Sequence, residues 1–546
     1  MTIRVVSQLL QYGAAAGLAL ALVACGGGDG GSDGAGGDNT GNNTTDTTGG
    51  GGDTTAGGDT TGNNGGDAGA GNVSGEVCLA QSGARPKTRQ LGALEPGDGS
   101  ATPQSAQIKI LSQSDRQRVP PHVIVMPALT RTKAAALPAL ALGQPQQIGV
   151  ARALAETADA QAMAGLLSWA SQADGRRTAI SVRAPGAEGL RLGLRVDQLP
   201  PGTQLRVYAP GSAQTIEIAG EQVLRVIQLN RDAGVSGAEA DTYWLPTVVG
   251  AEAALEIELP ADTDPSQLKV SLPRVSHLTQ HPADNVAVAK AASACNIDTM
   301  CAPESEIQMH AVAQMNFMKD GGSYSCTGTL LNNTQRNRIP YFLSANHCIP
   351  NQAVASTLET WWNFRSASCG STQLDRNSQQ IAGGAELLYN SVSTDTAFMR
   401  LNSAPAANAI FAGWNAGAGP SLQANIFSIH HPDGDWQKYS AGVIESVGTC
   451  TRANSGEGTV LCREGAANDS SPFYRIRWSR GITESGSSGG ALFNTDGQVI
   501  GQLYAGPANC VSRQETDSFG RLDLAFDAAL SHWLSPDCGD TGQAPR

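Results

Sequence analysis

The longest unbroken run of apolar residues is the twelve from Gly13 to Ala24 (GAAAGLALALVA). Twelve helical residues rise roughly 18 Å, too little for a ~30 Å hydrocarbon core. Residues 26–72 then hold no large apolar side chain. Residues 73–173 are weakly patterned, except that Ala151–Gln172 (ARALAETADAQAMAGLLSWASQ) has the Ala-rich texture of a helix. Across 176–275 the period falls to two: Leu190–Val196 (LRLGLRV), Gln204–Tyr208 (QLRVY) and Ala254–Leu259 (ALEIEL) alternate apolar with polar. Pro200, Pro201 and Gly202, then Pro210 and Gly211, supply turns between them. That pattern predicts a small antiparallel β-sandwich. Residues 276–294 read as a linker. From Cys295 onward short strands alternate with Gly/Ser/Asn turns. Leu522, Phe526, Leu530, Trp533 and Leu534 fall on one helical face, with Pro536 just past its end. The last 250 residues thus predict an all-β domain closed by one amphipathic helix.

Charge changes the picture mainly at the N-terminus. The chain carries −13, and seven Asp without any Lys or Arg place −7 of it in residues 26–72, which also hold 20 of the 65 glycines. The remaining −6 is spread thinly and lacks long basic runs, which excludes a nucleic-acid binder of the usual kind. Residues 26–72 cannot bury enough surface to offset their ordering entropy and are expected to be a disordered tether, with a reach on the order of 35–40 Å. Before them, Arg4, the apolar run and Leu22, Val23, Ala24 and Cys25 form a bacterial lipobox pattern. Residues 1–25 are therefore expected to be a lipoprotein signal, with Cys25 lipidated. Gly26, which is not Asp, points to the outer membrane. No other segment has the ~20 apolar residues of a spanning helix.

Of the eleven cysteines, ten remain after Cys25, and nine of those follow residue 290. An even number in an exported chain implies disulfides. Neither C-x2-C nor H-E-x-x-H occurs, so no metal is expected.

Gly486, Ser487, Ser488, Gly489 and Gly490 have the form G-x-S-G-G. Glycines on both sides of a serine allow a sharp turn, with the hydroxyl and the N–H groups of Gly486 and Ser488 facing one point as nucleophile and oxyanion hole. His347 follows an apolar strand, Tyr341–Leu343, and precedes Cys348, which suits a rigidly held general base. His430 and His431 precede a Pro-Asp-Gly turn and read as strand end and turn. Asp395 opens the apolar run at 396–399, where a buried carboxylate could orient the imidazole. The order His347, Asp395, Ser488 matches chymotrypsin-type enzymes and neither subtilisins nor α/β-hydrolases.

With those residues in place, 291–535 resembles a trypsin-fold serine protease, and in particular the bacterial lysyl endopeptidases. The matching stretches are Cys295–Asp298 (CNID), Cys326–Asn333 (CTGTLLNN), Tyr341–Leu343 with His347 and Cys348, Ser428–Pro432 (SIHHP), Gly481–Glu484 (GITE) with Gly486–Gly489, Gly501–Leu503 (GQL) and Asp517–Arg521 (DSFGR). The resemblance implies a two-barrel chymotrypsin-like domain over 291–546. It also implies the disulfides Cys295–Cys510, Cys301–Cys369 and Cys326–Cys348. A hairpin bridge Cys450–Cys462 is then expected, which leaves Cys78 with Cys538. Ile482, six residues before Ser488, is neutral where common trypsins carry their acid. Lysyl endopeptidases place it on a later strand, and the matching residue is Asp517. Glu484 matches the family and is read as pocket wall. Tyr504 stands where the family example has His, and no Trp occupies residues 440–475 to stack on the imidazole. Lys290 precedes Ala291, where such enzymes mature by a cut after Lys, so residues 73–290 read as a pro-region. The expected activity is cofactor-free cleavage of protein or peptide substrates after Lys by a monomer. A broader Lys/Arg protease, a glutamyl one, and an inactive surface binding protein are the alternatives.

Overall fold

The computed structural model describes residues 119–536 apart from 130–143, 173–174, 281–291, 418, 420, 453–459, 466–470 and 513, together with 87–92, 95–96 and 108–110. Cys25, the 26–72 tract, Cys78, the Lys290–Ala291 junction and Cys538 lie outside the described residues. Among the described residues, no helix is long and apolar enough to cross a membrane.

The N-terminal domain is a pair of packed sheets. One carries Gln204–Tyr208, Glu252–Leu259 and Gly175–Arg183 side by side, with Gln214–Ala219 beyond; His122–Val125 joins Gly175–Arg183 in parallel, so the sheet is not wholly antiparallel. The other carries Thr242–Trp244, Gly189–Gln198, Lys269–Leu278 and Gln146–Ala153. Leu190, Leu192, Leu194 and Val196 pack against Ile180, Val182, Leu255 and Ile257 in one core, as the alternation predicts. The other face departs from that prediction. Arg191 is 2% exposed rather than solvated. Its Nε donates to Leu245 O at 3.1 Å and Nη2 to Thr357 O at 2.9 Å, because that face is covered by the next domain.

Two local readings fail. Ala151–Gln172 is not one helix: Gln146–Ala153 is a strand, and only Ala160–Ala164 is α-helical, capped by Asp159, whose carboxylate accepts from Ala162 N at 2.8 Å. The strand is held between Lys269–Leu278 and Gly322–Leu331, so two ladders override alanine's helical preference. The helix Gly220–Asp232, unforeseen, buries Val223, Val226 and Ile227 on the same core. Nor does the 276–294 linker begin at 276, since Lys269–Leu278 continues as strand through Leu278.

Past Cys295 the fold is all-β with a terminal helix. Asn425–His430, Lys438–Arg452, Phe473–Arg480, Asp517–Arg521, Val499–Ala505 and Ala491–Asn494 pair in a ring, each with the next and the last with the first. This is a closed six-stranded barrel. The preceding strands, Val312–Lys319, Gly322–Leu331, Tyr341–Ala345, Glu359–Trp362, Gln379–Ile381, Ala385–Ser391 and Thr396–Leu401, form an open half-barrel; among the described residues no pairing closes it. Instead, Gly322–Leu331 accepts the N-terminal domain's Gln146–Ala153 strand antiparallel. One twelve-stranded sheet therefore runs through both domains. Leu522, Phe526, Leu530, Trp533 and Leu534 are all buried on the terminal helix, which passes through a π turn at Phe526–Leu530. Among the described residues four disulfides are present: Cys295–Cys510, Cys301–Cys369, Cys326–Cys348 and Cys450–Cys462.

Candidate active site

The site lies where half-barrel and barrel meet. Tyr341–Ala345 pairs with Thr396–Leu401 in a register that sets Ala345 opposite Thr396. The residues just outside that ladder, His347 and Asp395, are thereby neighbours. Asn346 N donates to Asp395 O at 2.9 Å, and His347 N donates to Asp395 Oδ1 at 2.9 Å. The ring Nδ1 lies 2.7 Å from Oδ2. A carboxylate there accepts from Nδ1–H, which leaves Nε2 as the free base. Asp395 adopts φ 49°, a left-handed conformation tolerated by Asp and held by its surroundings. Gln502 Nε2 steadies it by donating to Thr394 O at 2.9 Å and Thr396 Oγ1 at 3.0 Å.

Ser488 sits in the loop between Phe473–Arg480 and Ala491–Asn494, tied to both halves. Thr327 N donates to Ser488 O at 2.8 Å and Thr327 Oγ1 to Gly486 O at 3.0 Å, while Gly489 N donates to Leu503 O at 2.8 Å. Glycine is needed at 489: φ is +82°, and a Cβ would stand 2.2 Å from Ser344 Oγ. Ser344 is three residues before His347, and Tyr504, next to Leu503, lays its ring 5.7 Å from the His347 ring. The serine loop and the imidazole thus share neighbours on two sides. Among the described residues, no hydrogen bond joins Ser488 Oγ to His347; the Cys348 sulfur lies 3.7 Å from Nε2. The N–H groups of Gly486 and Ser488 donate to no backbone carbonyl among the described residues.

Cys326, His347 and Cys348 converge closely enough to hold an ion. Both sulfurs are spent in the Cys326–Cys348 disulfide, so the trio has no thiolate to offer. His430 and His431 are buried, and desolvation pushes both down to about 3. They are structural, but more specific than a strand end. His430 Nδ1 lies 2.8 Å from Ser487 Oγ and Nε2 3.0 Å from Ser440 Oγ, which braces the residue beside Ser488. Only pairing across the barrel brings these residues together, so no sequence spacing announces the brace.

Asp517 is fully buried. Trp478 Nε1 and Thr483 Oγ1 each donate to Oδ2 at 2.6 Å, and Ala508 N donates to Oδ1 at 3.1 Å. Burial raises its carboxyl above the usual range against the pull of these donors and of the nearby Arg475 guanidinium. A Cβ at Gly506 would come 1.8 Å from Oδ1, so only glycine fits there. Glu484 has bonding partners that its reading as pocket wall does not include. It accepts from Ser293 N at 3.0 Å, Asn296 Nδ2 at 2.6 Å and the Ser293 hydroxyl, holding the segment after the Lys290–Ala291 junction. Nearby, Ala292 N donates to Asp435 Oδ2 at 3.3 Å. Asp433 is pushed up to about 7, first by burial and then by Glu484 and Asp435.

A closed barrel facing a half-barrel, with a buried Asp–His pair and a glycine-bounded serine at their junction, is the build of a trypsin-fold serine endopeptidase. Comparison with known proteins agrees and narrows it. Residues 289–520 match the lysyl endopeptidase C-terminal domain, and residues 125–279 match the lysyl endopeptidase N-terminal domain. A lysyl endopeptidase of Pseudomonas aeruginosa is 31% identical over 442 residues, covering 76% of this chain and 87% of that protein. The chain belongs to the lysyl endopeptidase family. Among solved structures, the active form of the Rv3671c protease from M. tuberculosis is 17% identical, with a TM-score of 0.30 over 48% of this chain and 97% of its own. The HtrA-type protease AlgW with tripeptide is 18% identical, with a TM-score of 0.28 over 44% and 64%. These two likenesses are slight, and nothing below rests on them.

Proposed function

We propose that this endopeptidase hydrolyses peptide bonds on the carboxyl side of lysine. Ser488 Oγ attacks the carbonyl as His347 Nε2 takes its proton. Asp395 holds the ring and stabilises the imidazolium, while the amides of Gly486 and Ser488 receive the oxyanion. His347 then protonates the departing amine. Water, deprotonated by the same nitrogen, releases the acyl group and restores Ser488. The unmade Ser488–His347 hydrogen bond is compatible with this scheme, since catalytic hydrogen bonds often tighten only with substrate.

The observation that carries the specificity is Asp517. It is fully buried among neutral donors, and among the described residues it forms no ion pair. An ammonium entering beside it would satisfy a charge that is otherwise costly to hold there. We extend the proposal to the ends of the chain: lipid on Cys25, an exported and outer-membrane-tethered precursor, and self-cleavage of a 73–290 pro-region at Lys290–Ala291. The test is hydrolysis of matched peptide amides ending in Lys, Arg, Glu or Phe, with Ser488→Ala as control. Lys amides are expected to be cut by the wild type alone. Preference for Glu would overturn the specificity, and failure to label with an active-serine probe would favour a binding protein. A Ser488→Ala precursor that still acquires Ala291 as its N-terminus would exclude self-cleavage.

A further inference from the structure

His347 is gripped at its backbone as well as its ring. Its N–H is bound by Asp395 Oδ1 at 2.9 Å and its ring by Oδ2 at 2.7 Å. Its carbonyl accepts from the ammonium of Lys319 at 2.8 Å. That third contact comes from a different strand and is charge-assisted, hence stronger than a neutral hydrogen bond. Lys319 ends the Val312–Lys319 strand, opposite Gly322 across a tight turn in which Asp320 (φ 48°) and Gly321 (φ 75°) are both left-handed. The turn fixes where the side chain starts, and the preceding Met318 N donates to Thr357 Oγ1 at 2.8 Å. The far side of this hairpin belongs to the N-terminal domain. Ala151 N donates to Gly321 O at 2.9 Å, Val150 lies opposite Gly322, and Arg191 Nη2 donates to Thr357 O at 2.9 Å.

We propose that Lys319 is a positioning residue for the catalytic base: its ammonium anchors the His347 carbonyl so that Nε2 is held at the angle proton transfer requires. The hairpin that carries it is also the one the N-terminal domain grips. The inference rests on His347 being the base. Proton transfer depends steeply on geometry, and a displacement of about 1 Å can cost roughly a hundredfold. Lys319 touches no substrate in this scheme, so its loss acts on kcat and leaves KM.

The experiment compares Lys319→Met and Lys319→Arg in the full chain, with kcat and KM on a Lys amide and the unfolding midpoint as readouts. Lys319→Met is expected to lower kcat roughly 10- to 100-fold with KM within about twofold. Lys319→Arg, which keeps the cation and its donors, is expected to recover kcat to within about threefold. Unchanged kcat in the Met variant, or a rise in KM alone, would overturn the proposal. If the Met variant fails to fold, the Arg variant decides: near-normal kcat supports the anchor, and a tenfold loss sinks it. Ser488→Ala separates the two levels of the argument. Residual hydrolysis there would remove the underlying mechanism, whereas a dead Ser488→Ala beside a normal Lys319→Met removes only the anchor.

Discussion

Asp395 and Asp517 occupy the half-barrel side and the closed barrel of the same domain, and they are 3% and 0% exposed. Their partners differ. Asp395 faces an imidazole that can take up charge, and it also holds that residue's backbone N–H. Asp517 faces an indole, a hydroxyl and an amide, none of which can become a cation. In the proposed function the first carboxylate has its counter-charge within hydrogen-bond reach, whereas the second, which feels Arg475 only through space, receives one from a substrate lysine. Burial alone does not define the role of an acid. On that reading, what distinguishes a positioning group from a recognition group is whether a cation bonds to it directly before substrate arrives.

That contrast can be broken at several levels. The largest effect is expected from the resident pair: His347→Ala should lower kcat by roughly 10⁴- to 10⁶-fold, and Asp395→Asn by about 10⁴-fold, with KM little changed. Steady-state kinetics on a Lys amide reads both, and a loss confined to KM would contradict the assignment. Next comes the imported pair. Asp517→Asn leaves a substrate ammonium unpaired, about 3–5 kcal/mol, so kcat/KM for Lys amides should fall roughly a hundred- to several-thousand-fold. Gly506→Ala, whose new Cβ would overlap the Asp517 carboxylate, should follow in the same direction.

Stability sharpens the comparison further. The folded state holds Asp517 above the usual carboxylate range, so in the free enzyme its contribution is most favourable below the unfolded value near 3.8 and declines as pH rises through the folded one. Asp517→Asn should therefore melt higher than wild type at neutral pH, the gap closing as pH drops below about 4. A variant that melts lower at neutral pH would mean the carboxylate's hydrogen bonds outweigh its desolvation. The smallest effect is expected at Asp433, pushed up to about 7 beside the serine loop. Its contribution to stability is lost between about pH 4 and pH 7, and Asp433→Asn should flatten the melting profile across that window.

Much of the candidate site was legible because its chemistry is carried by short motifs. The glycines around Ser488, the Cys after His347 and the strand after Asp395 are all local features. The terminal helix was legible for the same reason, since its five buried residues follow a single period. The Ala-rich 151–172 stretch misled because its residues lie near a strand pinned on both edges by partners more than a hundred residues away. Arg191, polar in an alternating strand, is buried because a second domain covers it, which the alternation alone does not show. Lys319 gave no signal at all, because its contact with His347 spans 28 residues and two turns of the sheet.

By itself, the order of residues pointed to the reaction class and to the order of its three candidate side chains, while Asp517 as the candidate acid came only through the resemblance to lysyl endopeptidases. The first two follow from composition over a few neighbouring positions, where the chain's own stereochemistry limits the choices. Tertiary structure alone decided that, among the described residues, the first barrel stays open and takes a strand of the N-terminal domain on Gly322–Leu331, that Glu484 holds the 293–296 segment, and that the Lys319 ammonium meets the His347 carbonyl. Each of these depends on strand register and on which face meets which, and such pairings are set by the burial of the whole core rather than by any local pattern.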